Sequence, residues 1–281
     1  MNLKQRLQNH LQEIVRLRDP YLNSGGHFFV QQYIRTQFEQ WGTVEIHKFE
    51  MRSQTHQNLI LNLPGKKVTK KPLLPILIGA HYDAVPGTPG ADDNATGVAV
   101  LLELARIFAN EPPKSPVRLI AFDLEEYGLI GSDRYVSELQ QQKEKLRLML
   151  SLEMLGYCDT SPNSQVYPPG LKYFYPNRGD FIALVGNLTT IPDLINLSRN
   201  FRKSGTPCQL LPVFNRGKMF RQTRLSDHAP FWDRNYPAIM ATDTSFLRNP
   251  HYHQSTDTIA SLDLDFLTGV CQGLATGIGK L

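Results

Sequence analysis

Three short apolar runs constrain the fold of this 281-residue chain more than any other feature: Pro75-Ile76-Leu77-Ile78-Gly79-Ala80, Val117-Arg118-Leu119-Ile120-Ala121-Phe122 and Leu148-Met149-Leu150-Ser151-Leu152. They are nearly continuous in apolar character rather than alternating. A strand buried on both faces reads this way, because neither face carries a polar half-pattern. Each run leads directly into acidic or imidazole side chains: His81 and Asp83 after the first, Glu125 and Glu126 after the second, Glu153 after the third. Ligands of open α/β sheets bind at the C-terminal ends of the strands. The three clusters therefore predict one site assembled from distant parts of the chain.

Between and around these runs the apolar period changes to that of a helix. Residues 1–19 carry Leu3, Leu7, Leu11, Ile14 and Val15. Residues 27–41 carry Phe28, Phe29, Tyr33, Ile34, Phe38 and Trp41, with Gly42 as a stop signal. Residues 94–110 place Val98, Leu101, Leu102, Ala105 and Phe108 on one face before Pro112 and Pro113. Further helices are predicted over 127–142, 189–204 and 263–278. Strands are predicted over 44–51, 58–63, 73–80, 117–122, 146–155, 208–213 and 238–242. Alternating strands and helices predict a three-layer α/β/α domain with a mixed, mainly parallel sheet. With no repeat or composition break, residues 1–281 read as one domain, beginning with a helix in residues 1–20. Residues 161–180 are rich in Pro, Gly, Asn and Tyr. They and residues 214–225 read as loops on the substrate side, where Tyr173, Phe174, Tyr175, Phe214 and Phe220 can line a pocket, although packing against one another is the plainer role for most of them.

Composition excludes several functional classes. Thirty Lys and Arg against 26 Asp and Glu give a formal charge of +4. The basic pairs Lys66-Lys67 and Lys70-Lys71 read as a solvated loop, so no nucleic-acid partner is expected. Cys158, Cys208 and Cys271 form no close pair and read as packing residues or free thiols. There is no signal-peptide pattern and no apolar stretch of about 18 residues, so no membrane partner and a cytoplasmic location are expected. Oligomeric state is left open.

Each chemical fragment is ambiguous alone. His81 and Asp83 share a face of an extended chain, where Asp83 can accept the second ring N–H of a metal-bound His81, or the two can be a plain hydrogen-bonded pair. Asp92 and Asp93 lie at a helix mouth, where one aspartate satisfies a cap and a second is surplus. Glu125 and Glu126 point in different directions, so one can bind metal while the other moves a proton, although an acidic first helical turn looks the same. Glu153 in a buried run needs a partner or a cation. Either His251 or His253 can bind a metal, while Ser255, Thr256 and Asp257 compete as capping residues. Together they offer two histidines and three or four carboxylates, a set suited to a pair of zinc-like ions.

These residues carry a family resemblance. Gly79-Ala80-His81-Tyr82-Asp83, the segment from Pro89 to Gly97, Glu125-Glu126 with Gly128-Leu129 and Gly131-Ser132, and Ser226-Asp227-His228-Ala229-Pro230-Phe231 occur in the order seen in co-catalytic zinc aminopeptidases of the bacterial leucyl-aminopeptidase type, whose fold glutaminyl cyclases share. The resemblance covers the chain from about Gly25 onward. It implies a phosphorylase/hydrolase-like zinc exopeptidase architecture and two Zn2+ ions, other divalent ions being possible. By the same resemblance His81 is a ligand, Asp92 bridges the ions, and a cis peptide joins Asp92 to Asp93. Glu126 and His253 complete one ligand set, His81 and Glu153 the other. Glu125 is the general base for a metal-activated water that attacks an N-terminal peptide bond of a peptide or aminoacyl substrate. Asp83, Asp93, Asp227 and His228 support the ligands or face substrate, a packed structural role being the alternative for His228. Glu153 departs from the pattern, since many such enzymes have aspartate there. A glutaminyl cyclase using one ion at Asp92, Glu126 and His253, and a non-catalytic binding module on the same fold, are the alternatives.

Overall fold

A computed structural model describes residues 1–66 and 72–281. The reading of Lys67, Lys70 and Lys71 as a solvated loop lies outside the described residues. In chain order the elements are α1 (Leu3–Ile14), α2 (Ser24–Glu39), β1 (Val44–Met51), β2 (Gln54–Leu63), β3 (Ile76–His81), α3 (Gly97–Asn110), β4 (Val117–Phe122), α4 (Ile130–Gln141), β5 (Leu148–Glu153), β6 (Ile182–Asn187), α5 (Ile191–Lys203), β7 (Cys208–Val213), α6 (His228–Asp233), β8 (Ala238–Thr242) and α7 (Leu264–Ile278).

The strands form one eight-stranded sheet in the order β1-β2-β4-β3-β5-β8-β6-β7. The middle four, β4, β3, β5 and β8, run parallel. Antiparallel pairings join β2 to β4 on one side and β6 to β8 on the other. Because side chains alternate across a strand, Ile76 and Ile78 of β3 face one layer with α1, α2, α3, α5 and α7. Leu77 faces the other, where Tyr135 and Val136 of α4 and Phe231 and Trp232 of α6 pack. This is the expected three-layer α/β/α arrangement, and its parallel centre explains why three strands lack an alternating pattern.

Close approach at the middle of the sheet depends on Gly79. A Cβ there would lie 2.3 Å from Cε2 of Phe122, on the neighbouring strand. Phe122 thus covers β3 at the strand end where His81 emerges. Two elements escaped sequence reasoning. Strand β6 follows directly on the Pro- and Gly-rich loop, in residues to which the sequence reading assigns no element. Helix α6 spans six residues and contains Pro230, too short for a period to register. The N-terminal helix is also shorter than the 1–19 pattern: it ends at Ile14, and Arg18 and Asp19 lie beyond it, fully buried.

Candidate metal centre

The parallel strands deliver the site. His81 is the last residue of β3, Glu153 the last of β5, and Glu125-Glu126 follow β4. A turn after β3 brings in Asp93 ahead of α3, and the segment after β8 returns His253 to the same edge. His81 Nε2 lies 3.3 Å from Asp93 and 3.7 Å from Glu153. His253 Nε2 lies 3.1 Å from Asp93 and 3.3 Å from Glu126. One donor atom from each of His81, Asp93 and Glu153 falls within 4.8 Å of the others, and the same holds for Asp93, Glu126 and His253. The two sets share Asp93, each of whose carboxylate oxygens faces a different histidine.

The shared residue is Asp93, which corrects the expectation that Asp92 bridges. Asp92 is turned away and held as scaffold: its carboxylate accepts from Gly156 N at 2.9 Å and from Asn249 Nδ2 at 2.7 Å. Its second neighbour is Asp243, and burial together with that adjacent charge pushes Asp243 well above the usual carboxylate range. The cis peptide is correspondingly Asp93–Asn94 rather than Asp92–Asp93. Asp257 fixes the turn by accepting both Asp92 N at 2.9 Å and Asp93 N at 3.1 Å. Asn94 ties it to the end of β5, donating to Leu152 O and accepting from Met154 N.

Asp83 holds a different part of the frame. One oxygen accepts from Glu125 N and the other from Glu126 N, both at 3.1 Å, and Oδ1 lies 3.4 Å from His81 Nδ1. A single buried carboxylate thus sets the turn carrying the glutamates and backs the ring of His81, the arrangement that orients a metal-binding histidine. Ser226 Oγ donates to Glu153 Oε2 at 2.7 Å and exchanges a hydrogen bond with Ser151 Oγ at 2.8 Å. One oxygen of the longer glutamate is thereby fixed. Asp227 is buried nearby, and desolvation holds its carboxyl up to about 7 against the opposing charge of His81. His228 does not face the site: Nε2 bonds Thr223 O at 2.8 Å and its ring packs edge-on against Trp232. His251 is likewise engaged elsewhere, with Thr256 Oγ1.

The electrostatics fit a cation. Burial alone would lower the pKa of His81, yet the charges of Glu125, Asp83, Asp93 and Glu153 raise it well above its usual value. Burial would also lower that of His253, and Asp93 and Glu126 raise it to about 10. Burial and the charge of Asp93 lift Glu126 to about 7. Without cations the cluster gathers protons instead. Metal binding displaces such protons, because a histidine ligates only when neutral. Neither nitrogen of His81 and not Oε1 of Glu126 has a well-formed hydrogen bond, leaving buried atoms in want of a partner. Imidazole and carboxylate donors in sets of three suit zinc with open positions.

Glu125 stands outside both three-residue sets that share Asp93, although it lies beside His81 and Glu126. Burial raises its pKa well above the carboxylate range, with Glu126 and Glu153 adding to the effect against His81. Beside it opens a cavity of about 430 Å³, lined by Tyr167, Leu171, Tyr175, Phe181, Val185, Leu210, Met240 and Phe246 among others. The loops 161–180 and 214–225 both contribute, with only one of the five named aromatics. Of those, Tyr175 lines the cavity, whereas Tyr173 and Phe174 are 77% and 80% exposed and Phe214 and Phe220 are not among its lining residues.

Residues 58–276 match the model of peptidase family M28. Over 214 residues the chain is 41% identical to the uncharacterized protein YfbL of Escherichia coli, an alignment covering 72% of this chain and 65% of that one. Over 105 residues it is 40% identical to aminopeptidase YwaD of Bacillus subtilis, covering 37% and 23%. The chain thus spans less than two thirds of the length of these relatives. Its fold superposes on the LapA aminopeptidase of Legionella pneumophila with a TM-score of 0.73 at 21% identity, covering 98% of this chain and 70% of that one. For the glutaminyl cyclase of Fimbriiglobus ruber the TM-score is 0.72 at 18% identity, covering 98% and 94%. By its family match and by the residues that meet at the C-terminal edge of its sheet, the chain belongs to peptidase family M28.

Proposed function

We propose that the protein is a zinc-dependent aminopeptidase that holds two ions. One would be bound by His81, Asp93 and Glu153, the other by Asp93, Glu126 and His253. The observation that carries this reading is the pair of complete donor sets sharing Asp93, with Glu125 left outside both. Zinc, when bound, supplies Lewis acidity and lowers the pKa of a coordinated water toward neutrality. Glu125 is placed to take a proton from the attacking water and return it to the leaving amine. Its raised pKa suits a base that must hold that proton between the two steps. Asp83 keeps the Glu125 backbone fixed while the side chain moves the proton.

The cavity supports one reading of the substrate class. Its apolar and aromatic lining stabilises a large apolar N-terminal side chain, at roughly 25 cal/mol per Å² removed from water. A panel of aminoacyl-coumarin substrates, assayed with and without chelator, tests the reading. Leu and Phe derivatives should be cleaved ahead of Ala and Asp, and chelation should stop cleavage. Glu125→Gln should lower kcat at least 100-fold while zinc content is kept; unchanged hydrolysis would refute the role of Glu125. Glutaminyl cyclisation is the second reading, because the cyclase fold superposes closely. The complete set around His81 favours the peptidase. Pyroglutamate from an N-terminal Gln peptide, with one bound ion, would reverse that choice.

A further inference from the structure

Arg18 lies outside the region matched to the family, fully buried, directly behind the metal centre. Its neighbours include Asp93, Asp257, Asp83 and Glu126, yet it donates to none of their carboxylates. Every donor goes to a backbone carbonyl. Nε donates to Tyr82 O at 2.9 Å, and Nη2 to Gly90 O at 2.8 Å and Asp93 O at 3.1 Å. Nη1 donates to Pro89 O and, more distantly at 3.4 Å, to Arg16 O. Tyr82 sits between His81 and Asp83, and Pro89 and Gly90 lead into Asp93. The rigid fork of a guanidinium therefore spans the segment that carries His81 and the segment that carries the shared ligand Asp93, and leaves the neighbouring carboxylates free.

Two further contacts belong to the same device. Gly90 has φ +59°, and a Cβ there would lie 2.8 Å from Nη2 of Arg18, so the backbone is shaped around this side chain. The adjacent Asp19 accepts the Tyr127 hydroxyl at 2.5 Å, and Tyr127 follows Glu126 directly. Asp19 is also anchored in its own turn, where Oδ1 accepts from Tyr21 N and Leu22 N. Two consecutive residues thus tie the His81 and Asp93 segments and the Glu126 turn to one rigid point.

We infer that Arg18 and Asp19 form a clamp that positions the metal ligands, and that the segment between α1 and α2 is part of the metal centre. This rests on the zinc reading above. The two roles open to a buried arginine beside a cation site have opposite signs. As a charge it repels metal, so its removal would tighten binding. As a positioning residue it holds the ligands in place, so its removal weakens binding. Zinc affinity of the stripped full-length protein, measured by competition with a fluorescent chelator, separates them. Arg18→Met and Arg18→Lys should both weaken zinc binding about 10-fold or more, because lysine keeps the charge but cannot span the five carbonyls. Tyr127→Phe, which removes one hydroxyl and should fold normally, should weaken it severalfold. Arg6→Met breaks a bond from α1 to Glu103 of α3, away from the site, and should leave affinity unchanged. Wild-type affinity or tighter binding in the Arg18 variants would overturn the clamp, as would an equal loss in Arg6→Met. If the Arg18 variants do not fold, unchanged affinity in Tyr127→Phe overturns it. A wild type that binds no zinc would sink the zinc reading itself and the clamp with it.

Discussion

Asparagine substituted at Asp93 and at Asp92 in turn separates a ligand from a scaffold carboxylate, although the two are neighbours of identical chemistry. Asp93 belongs to both donor sets. Losing it leaves each set with two protein ligands, below the three that catalytic zinc sites keep. Loss of a residue that merely supports a ligand costs about 10- to 100-fold in metal affinity, so loss of a ligand should cost at least the upper figure. At free zinc about 1,000 times Kd, binding stabilises the fold by about 4.1 kcal/mol per site; after a 100-fold loss of affinity about 1.4 kcal/mol remains. The difference of about 2.7 kcal/mol at each of the two sites, about 5.4 kcal/mol together, should shrink the zinc-induced rise in Tm by about 10–20 °C. The rise, rather than Tm itself, is the quantity to read, because metal-free Asp93 is paired with His81 and His253 and its loss also lowers the baseline. Asp92→Asn keeps an oxygen for Gly156 N but turns an amide toward Asn249, costing about 1–3 kcal/mol for one buried hydrogen bond. It should lower the baseline Tm and retain the zinc-induced rise. Scanning fluorimetry of stripped protein with and without zinc, together with metal analysis, reads both. A retained rise in Asp93→Asn with a lost one in Asp92→Asn would refute the assignment.

Three other outcomes follow from the same structure. Gly79→Ala should destabilise by about 1–3 kcal/mol in denaturant unfolding, since Cβ must displace the Phe122 ring. Ala183→Phe narrows the cavity from β6 and should raise KM for Leu and Phe substrates far more than for Ala substrates. Burial holds the His228 pKa down to about 4 from 6.5. Between those values the unfolded chain binds the extra proton, so this contribution is complete above pH 6.5 and lost as pH falls toward 4. The shift corresponds to about 3 kcal/mol at about 1.4 kcal/mol per unit, and His228→Gln should remove that part of the slope in equilibrium unfolding across pH 4–7.

Much of the fold was legible because burial on both faces of the central strands leaves a direct mark: β3, β4 and β5 read as apolar runs, and α3 and α7 as faces at helical spacing. Elements without such a mark were missed. Helix α6 is too short for periodicity, and β6 is a six-residue run, Ile182–Asn187, that carries no turn signal or period to set it apart from its flanks. At the site, the residues His81, Glu126, Glu153 and His253 that sequence reasoning proposed are brought together. Which of the loop aromatics reach the pocket was not legible, because the exposure of Tyr173 and Phe174 is decided by how a loop lies, which composition does not encode.

The sequence by itself determined which chemistry this protein carries, since acids and imidazoles at the ends of buried strands must meet at one edge of a parallel sheet. Only the tertiary structure decided which of two adjacent aspartates takes each task. Gly156, Asn249 and Asp243 capture Asp92 from other parts of the chain, and Asp93 is left facing both histidines. The same holds for Arg18 and Asp19: the contacts that tie them to the site are to carbonyls and a hydroxyl more than sixty residues away, and a backbone carbonyl leaves no trace in the identity of the residue that bears it.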